Sequence, residues 1–323
     1  MKKFLKILGY GLLVILLIVV ALLGYVNFGL PHVAAGNLHI ALTPARIARG
    51  KYLANHVVGC LVCHSKRDTR FFGMPIQHGT EGEGGQVFGP EDGFPGTFVA
   101  QNITPYHLGN WTDGELLRAI ACGENKDGQA LFPIMPYTHF GLMDTGDIYS
   151  VIAYIRTLTP IDQDNPASKA DFPMSLILHT IPGNPDFHPR PLPSDSVAYG
   201  QYMVNAALCA LCHTQIVNGK PAVGMDFAGG MEFHMPTGGV LTSANITPDL
   251  ETGIGGWTRE AFIQRFKSTL VNNQDPAPAP KDAYNPVMPW QYYAGMTDQD
   301  LGAIYAYLRT LHPIHHTVVK FKP

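Results

Sequence analysis

Cysteine stands in two matching settings in this chain, Cys60-Leu61-Val62-Cys63-His64 and Cys209-Ala210-Leu211-Cys212-His213. Two thiols three positions apart reach the two vinyl groups of one porphyrin, and the adjacent histidine presents a nitrogen to the iron. Cys-x-x-Cys-His is therefore the pattern by which c-type haem is attached. Two covalently bound haem c groups are expected, and their chemistry sets what the chain can do. With 5 Cys and 14 His in 323 residues, about 0.003 copies would arise by chance. Paired Cys-x-x-Cys knuckles also bind zinc, but a zinc site leaves the fixed position of both histidines unexplained. The motifs use four of the five cysteines, so Cys122 stands alone and no intrachain disulfide framework is available.

Haem c is attached outside the cytoplasmic membrane in bacteria, and the N-terminus agrees with that compartment. Lys2, Lys3 and Lys6 precede an uncharged stretch from Ile7 to Val26, 20 residues rich in Leu, Ile and Val. That is long enough to span a bilayer as a helix, with the positive flank inside. Residues 1–30 read as an uncleaved anchor, because the apolar run exceeds a usual signal-peptide core; Ala34-Ala35-Gly36 keeps cleavage open. The expected place is the cell inner membrane, single-pass, with the rest of the chain periplasmic. Of the 22 Lys and Arg, the three anchor lysines leave 19 against 25 acidic residues. Nothing in that balance points to nucleic acid, and a mildly acidic surface suits a basic redox partner.

Landmarks recur at nearly the spacing of the two motifs. Gly50-Lys51-Tyr52 matches Gly200-Gln201-Tyr202; Asn102-Ile103-Thr104-Pro105 matches Asn245-Ile246-Thr247-Pro248; Trp111-Thr112 matches Trp257-Thr258. Met135-Pro136-Tyr137 matches Met288-Pro289-Trp290, and Ala153-Tyr154-Ile155-Arg156-Thr157-Leu158 matches Ala306-Tyr307-Leu308-Arg309-Thr310-Leu311. Two domains of one kind are expected, at 43–160 and 196–314, joined by a Pro-rich linker at 161–195. Thr43-Pro44 opens a helix running toward Val57. Thr112 and Glu115 form a capping box, and Pro160 and Pro313 stop the last helix of each half. Gly50 and Gly200 fall inside the first helices, where glycine is costly; a close approach by the helices carrying Tyr154 and Tyr307 would compensate. Segments 73–110 and 219–256 read as haem-wrapping loops without much strand, and the Pro-rich stretch 275–280 as a surface insertion.

An electron carrier needs a second axial ligand on each iron. His64 and His213 supply the first; Met135 and Met288 are the expected second, because they occupy repeat-equivalent positions ahead of the last helix and a proline stiffens each loop. A thioether ligand raises the reduction potential relative to two histidines. Trp111 and Trp257 are expected to donate indole N–H groups to haem propionates or to pack on the porphyrin. Cys122 reads as a small buried residue, with thiolate ligation as its rival.

These residues resemble a known family, the bacterial membrane-anchored dihaem c-type cytochromes, and in particular the cytochrome subunits of periplasmic alcohol dehydrogenases. The resemblance rests on Cys-x-x-Cys-His, Asn-Ile-Thr-Pro, Gly-x-Gly-x-Trp-Thr at 253–258, Met-Pro-Tyr/Trp and the terminal Ala-Tyr-Leu-Arg-Thr-Leu, and it covers nearly all of 43–314. It implies an all-α fold, two tandem class I cytochrome c domains with His/Met ligation after an N-terminal transmembrane helix. It also implies electron transfer on the periplasmic face between a dehydrogenase or quinol-oxidising complex and a downstream oxidase or cytochrome. The partners implied are a membrane redox complex or periplasmic dehydrogenase and a soluble cytochrome. The chain is then an electron-transfer protein, not itself an enzyme. The alternative is a dihaem enzyme, of the peroxidase or thiosulfate dehydrogenase kind, with one displaceable axial ligand; matching Met-Pro pairs in both halves favour the carrier.

Overall fold

The computed structural model describes residues 1–217, 219–235, 238–271, 275–276, 278 and 285–323. Half of the stretch read as a 275–280 insertion thus lies outside the described residues.

Helix α1 (Lys2–Gly29) buries no residue, and its most apolar window has a mean hydropathy of 2.9. By length and composition it can cross a membrane. The chain then runs along the first half, held by backbone groups: Val33 N–H donates to Glu124 at 2.9 Å and Ile40 N–H to Asp113 at 2.7 Å.

Both halves follow one order. In the first, α2 (Pro44–His56), α3 (Cys60–Cys63), α4 (Pro105–Leu108), α5 (Asp113–Cys122), α6 (Tyr137–Phe140) and α7 (Thr145–Ile155) succeed one another; α8 (Met174–Ile177) lies in the connection. The second has α9 (Ser196–Ala206), α10 (Cys209–His213), α11 (Arg259–Lys267), α12 (Trp290–Ala294) and α13 (Asp298–Leu308). The local causes are those read from the sequence. Thr43 caps α2 by accepting from Arg46 N–H, and the Thr112/Glu115 box closes in both directions, at 3.2 and 2.7 Å.

The first and last helices of each half pack together, α2 on α7 and α9 on α13. The glycines explain the closeness. A Cβ on Gly50 would lie 1.7 Å from the Ser150 carbonyl oxygen and 2.9 Å from Tyr154 Cβ; on Gly200 it would lie 1.9 Å from the Ala303 oxygen and 3.0 Å from Tyr307 Cβ. Backbone contact this tight tolerates no side chain.

The all-α expectation is wrong. Among the described residues, ten short strands form four small antiparallel sheets. β1 (Val87–Phe88) and β2 (Gly96–Val99) form a hairpin that β3 (Lys169–Ala170) extends; β6 (Glu232–His234) and β7 (Val240–Thr242) form another, extended by β10 (Phe321–Lys322). β4 (Ile216–Val217) pairs with β5 (Lys220–Pro221), and β8 (Leu270–Val271) with β9 (Asp275–Pro276). Val, Phe and Thr favour these pleated positions, but runs of two to four residues are too short for a period of two to show. The Pro-rich connection donates β3 to the first half and leads, beyond α8, to His179, whose Nδ1 lies 3.0 Å from the Leu30 carbonyl oxygen.

One hydrophobic cluster spans both halves, from Leu53, Val57 and Ile152 to Met203, Leu301 and Ile304. The polar contacts across the junction are reciprocal. Tyr52 of α2 donates to Asp300 of α13 and accepts from Thr297 N–H at 3.0 Å. Tyr202 of α9 donates to Asp147 of α7 at 2.7 Å and accepts from Asp144 N–H at 3.2 Å. These four contacts are related by the repeat, as the paired contacts of an isologous dimer are.

Candidate haem sites

Each Cys-x-x-Cys-His segment is a short helix entered through a left-handed residue. Gly59 (φ 72°) caps α3 and Leu208 (φ 57°) caps α10. Leucine there is an outlier for an L-residue, and such conformations persist where the surroundings overdetermine them.

The two histidines are held alike. His64 Nδ1 lies 2.6 Å from the Gln101 carbonyl oxygen and His213 Nδ1 lies 2.7 Å from that of Ala244. A carbonyl only accepts, so each Nδ1 carries the proton and each Nε2 keeps its lone pair. Burial pushes both pKa values below the usual histidine range, against the opposing hydrogen bond. A neutral imidazole oriented through its Nδ1–H is the form that ligates a metal.

The thiols are surrounded by protein yet retain accessible surface: Cys60, Cys63 and Cys209 are half-buried and Cys212 is exposed. Burial raises the Cys60 and Cys209 thiols to about 12, with a further push from Cys63 and Cys212 respectively. Unmodified, these thiols stay neutral. Among the described residues no three His, Cys, Asp or Glu side chains converge as a zinc site requires.

Met135 and Met288 occupy the same turn in the two halves, half-buried against the core. The Met135 carbonyl accepts from Tyr137 N–H at 2.7 Å, and that of Met288 from Trp290 N–H at 2.9 Å. The residue after each Met-Pro leaves a buried donor without a partner, Tyr137 Oη in one half and Trp290 Nε1 in the other; Trp111 Nε1 is a third. Buried donors are normally satisfied, and these three, with Arg118 Nε and Thr242 Oγ1, are not, which leaves donors for a bound group with acceptors of its own. The expected tryptophan pair separates. Trp111 is half-buried beside His107, whereas Trp257 is 38% exposed and offers its carbonyl to Tyr305 at 2.6 Å. Cys122 packs with Val33 and Ala121 in a satellite cluster, its thiol raised to about 11 by burial and then by Glu124, which disfavours the thiolate.

Several neighbours were not legible as site residues. Trp290, Tyr292 and Tyr293 follow the second Met-Pro, and only their adjacency to that motif marked them. Arg67 was missed altogether. Its guanidinium bonds the carbonyls of Met74 and Gly73, the latter at 2.8 Å, and burial lowers its pKa to about 10.

Residues 197–312 match the cytochrome c family model, which identifies one such domain where two tandem class I domains were expected. The cytochrome c subunit of the quinone alcohol dehydrogenase of Gluconacetobacter polyoxogenes is 29% identical over 298 residues, 85% of this chain and 58% of that protein. The fructose dehydrogenase cytochrome subunit of Gluconobacter japonicus is 28% identical over 283 residues, 82% of this chain and 52% of its own length. A dihaem c-type cytochrome of Cereibacter sphaeroides is 28% identical over 128 residues, 37% of this chain and 43% of that protein. The chain thus spans little more than half the length of the dehydrogenase subunits that it matches. The chain is thus similar to the cytochrome c subunits of quinone alcohol dehydrogenases over most of its length, and its residues 197–312 match the cytochrome c family model.

Proposed function

We propose that this chain binds two haem c groups, one in each half (43–160 and 196–314), and serves as an electron-transfer subunit beside a membrane-associated dehydrogenase. The observation that carries this reading is the repeat of one arrangement: Cys-x-x-Cys-His with Nδ1 pinned to a backbone carbonyl, at His64 and again at His213. Haem c, when bound, supplies reversible one-electron chemistry at its iron. Cys60 and Cys63, and Cys209 and Cys212, provide the thioether sulfurs. His64 and His213 would provide Nε2 lone pairs to the iron, and Met135 and Met288 would provide thioether sulfurs. Trp111 Nε1, Trp290 Nε1 and the Tyr137 hydroxyl are among the buried donors left free for the carboxylates of the group; Trp257 lies at the rim of the second half. No member of this set is an acid or base poised for catalysis, which favours a relay over an enzyme.

Residues 1–30 act in this reading as the inner-membrane anchor, with the haem-bearing part in the periplasm. Tethering raises the effective concentration of membrane partners, a dehydrogenase or quinol-oxidising complex on one side and an oxidase or soluble cytochrome on the other. The 161–195 connection joins the two haem-bearing units.

The test is haem stoichiometry together with ligation. Two haems per chain are expected by pyridine haemochromogen assay, with His64→Ala and His213→Ala each removing the spectrum of one. Met288→Ala should lower the potential of the second haem and open its iron to carbon monoxide. One haem in the parent protein, or a Met288→Ala protein with unchanged potential and no carbon monoxide spectrum, would overturn the assignment.

A further inference from the structure

The second half's helix α12 does something that its counterpart α6 does not: it touches the entrances of both motifs. The Tyr292 hydroxyl receives the N–H of Gly59, the residue that caps α3, and lies 3.2 and 3.0 Å from the carbonyls of Leu53 and Ala54. The next residue turns the other way. Tyr293 donates to the carbonyl of Ala207, two residues before Cys209, at 2.8 Å. The two rings meet edge to face, 5.3 Å between centroids.

The loop that leads into α12 is clamped by the first half as well. Asn285 accepts from Gly73 N–H at 2.8 Å, Gln291 donates to the Phe72 carbonyl, and His56 Nδ1 lies 3.1 Å from the Tyr292 carbonyl. Met288 therefore sits in a loop of the second half whose outer contacts belong to the first. In the repeat, His139 and Phe140 stand where Tyr292 and Tyr293 do. His139 bonds Asn205 at 2.9 Å, and Phe140 has no hydroxyl to give.

We propose that Tyr292 and Tyr293 are positioning residues that hold the two Cys-x-x-Cys-His helices face to face, so that the two sites form one coupled unit. The proposal rests on the two-haem reading above. Its chemical basis is mechanical: one five-residue helix fixes the entry to α3, the entry to α10 and, through Pro289, the Met288 loop. A change at either tyrosine is then felt at both sites, although both residues belong to the second half.

The experiment uses the full-length holoprotein. Circular dichroism in the Soret region reports the mutual placement of two nearby haems, and potentiometric titration reports the separation of their midpoint potentials. The parent protein should show a bisignate Soret couplet. Tyr293→Leu should abolish it and change the potential separation, and Tyr293→Phe, which keeps the ring, should retain part of it. Tyr292→Phe should shift the potential of the first site. Tyr305→Phe, which removes a second-half hydroxyl bonded to the Trp257 carbonyl, should leave the couplet intact. If Tyr293→Leu fails to fold, the two phenylalanine variants decide the matter alone. A parent without a couplet, or a couplet and potential separation unaltered in the Tyr292 and Tyr293 variants, overturns the proposal. A stoichiometry of one haem per chain overturns the two-haem reading instead.

Discussion

The two halves share an architecture but not the chemistry of the junction between them. Asp147 of the first half is buried in charge: Arg49 binds it through two bonds of 2.9 and 2.8 Å, Arg190 through one of 2.7 Å, and Tyr202 through another. Its counterpart Asp300 accepts from two tyrosine hydroxyls, Tyr52 and, at 2.9 Å, Tyr199. Geometry at a repeat junction is thus preserved while the groups that satisfy a buried carboxylate change. The requirement is that the carboxylate be satisfied, and an ion pair or a pair of hydroxyls both meet it.

The largest effects should come where the halves are most alike. Gly50→Val and Gly200→Val each drive a side chain into a helix backbone that has no room to retreat, and each should cost about 3 kcal/mol or more. Thermal unfolding of the holoprotein checks this; a large loss in one variant and none in the other would break the equivalence of the two helix pairs.

The junction carboxylates come next and should differ. Asp147→Ala strands Arg49 beside a partly exposed Arg190, at a cost of about 2 to 3 kcal/mol once solvent screening of these arginines is allowed for. Asp300→Ala leaves two hydroxyls short of an acceptor, about 1 to 2 kcal/mol. Burial would raise the Asp147 pKa, but the hydrogen bond and charge of Arg49, with Tyr202 and Arg190, hold it below the ordinary carboxylate range. A depressed folded-state pKa stabilises above the unfolded value of about 4 and loses that contribution as the pH falls through the folded value. Melting temperatures from pH 7 down to pH 3 should therefore fall less steeply in Asp147→Asn than in the parent. Parallel profiles would show that the ion pair contributes nothing to acid sensitivity.

The smallest effects concern the motif caps. Gly59→Ala, at φ 72° with nothing within 4 Å of the new Cβ, should cost about 1 kcal/mol. Leu208→Gly should change stability little, because relief of its left-handed backbone is offset by lost packing of a half-buried side chain against the core. Denaturant midpoints distinguish the two; equal losses would mean that the caps are held by packing alone.

Much of this was legible in short-range pattern. The capping box at Thr112, the proline-started helix at Thr43 and the helix partners of Gly50 and Gly200 follow from local hydrogen bonding and from the cost of glycine inside helices. The sheets were not legible, because β3 and β10 are two-residue strands whose partners lie about 70 residues or more away in sequence. Nor was the unequal setting of Trp111 and Trp257, since equivalent places in a repeat say nothing about which indole is covered.

The amino-acid sequence by itself determined the spacing of the Cys-x-x-Cys-His motifs, the repeat, the apolar N-terminal helix and the starts of several helices. Each of these depends on residues within a few turns of one another, or on a motif whose spacing is itself the chemistry. Only the tertiary structure decided how the halves meet: Tyr52 on Asp300, Tyr202 on Asp147, and Tyr292 and Tyr293 between the two motifs. Those contacts join residues 55 to 248 positions apart. Which surface of one half meets the other is settled by the packing of a shared core, and no local periodicity encodes it.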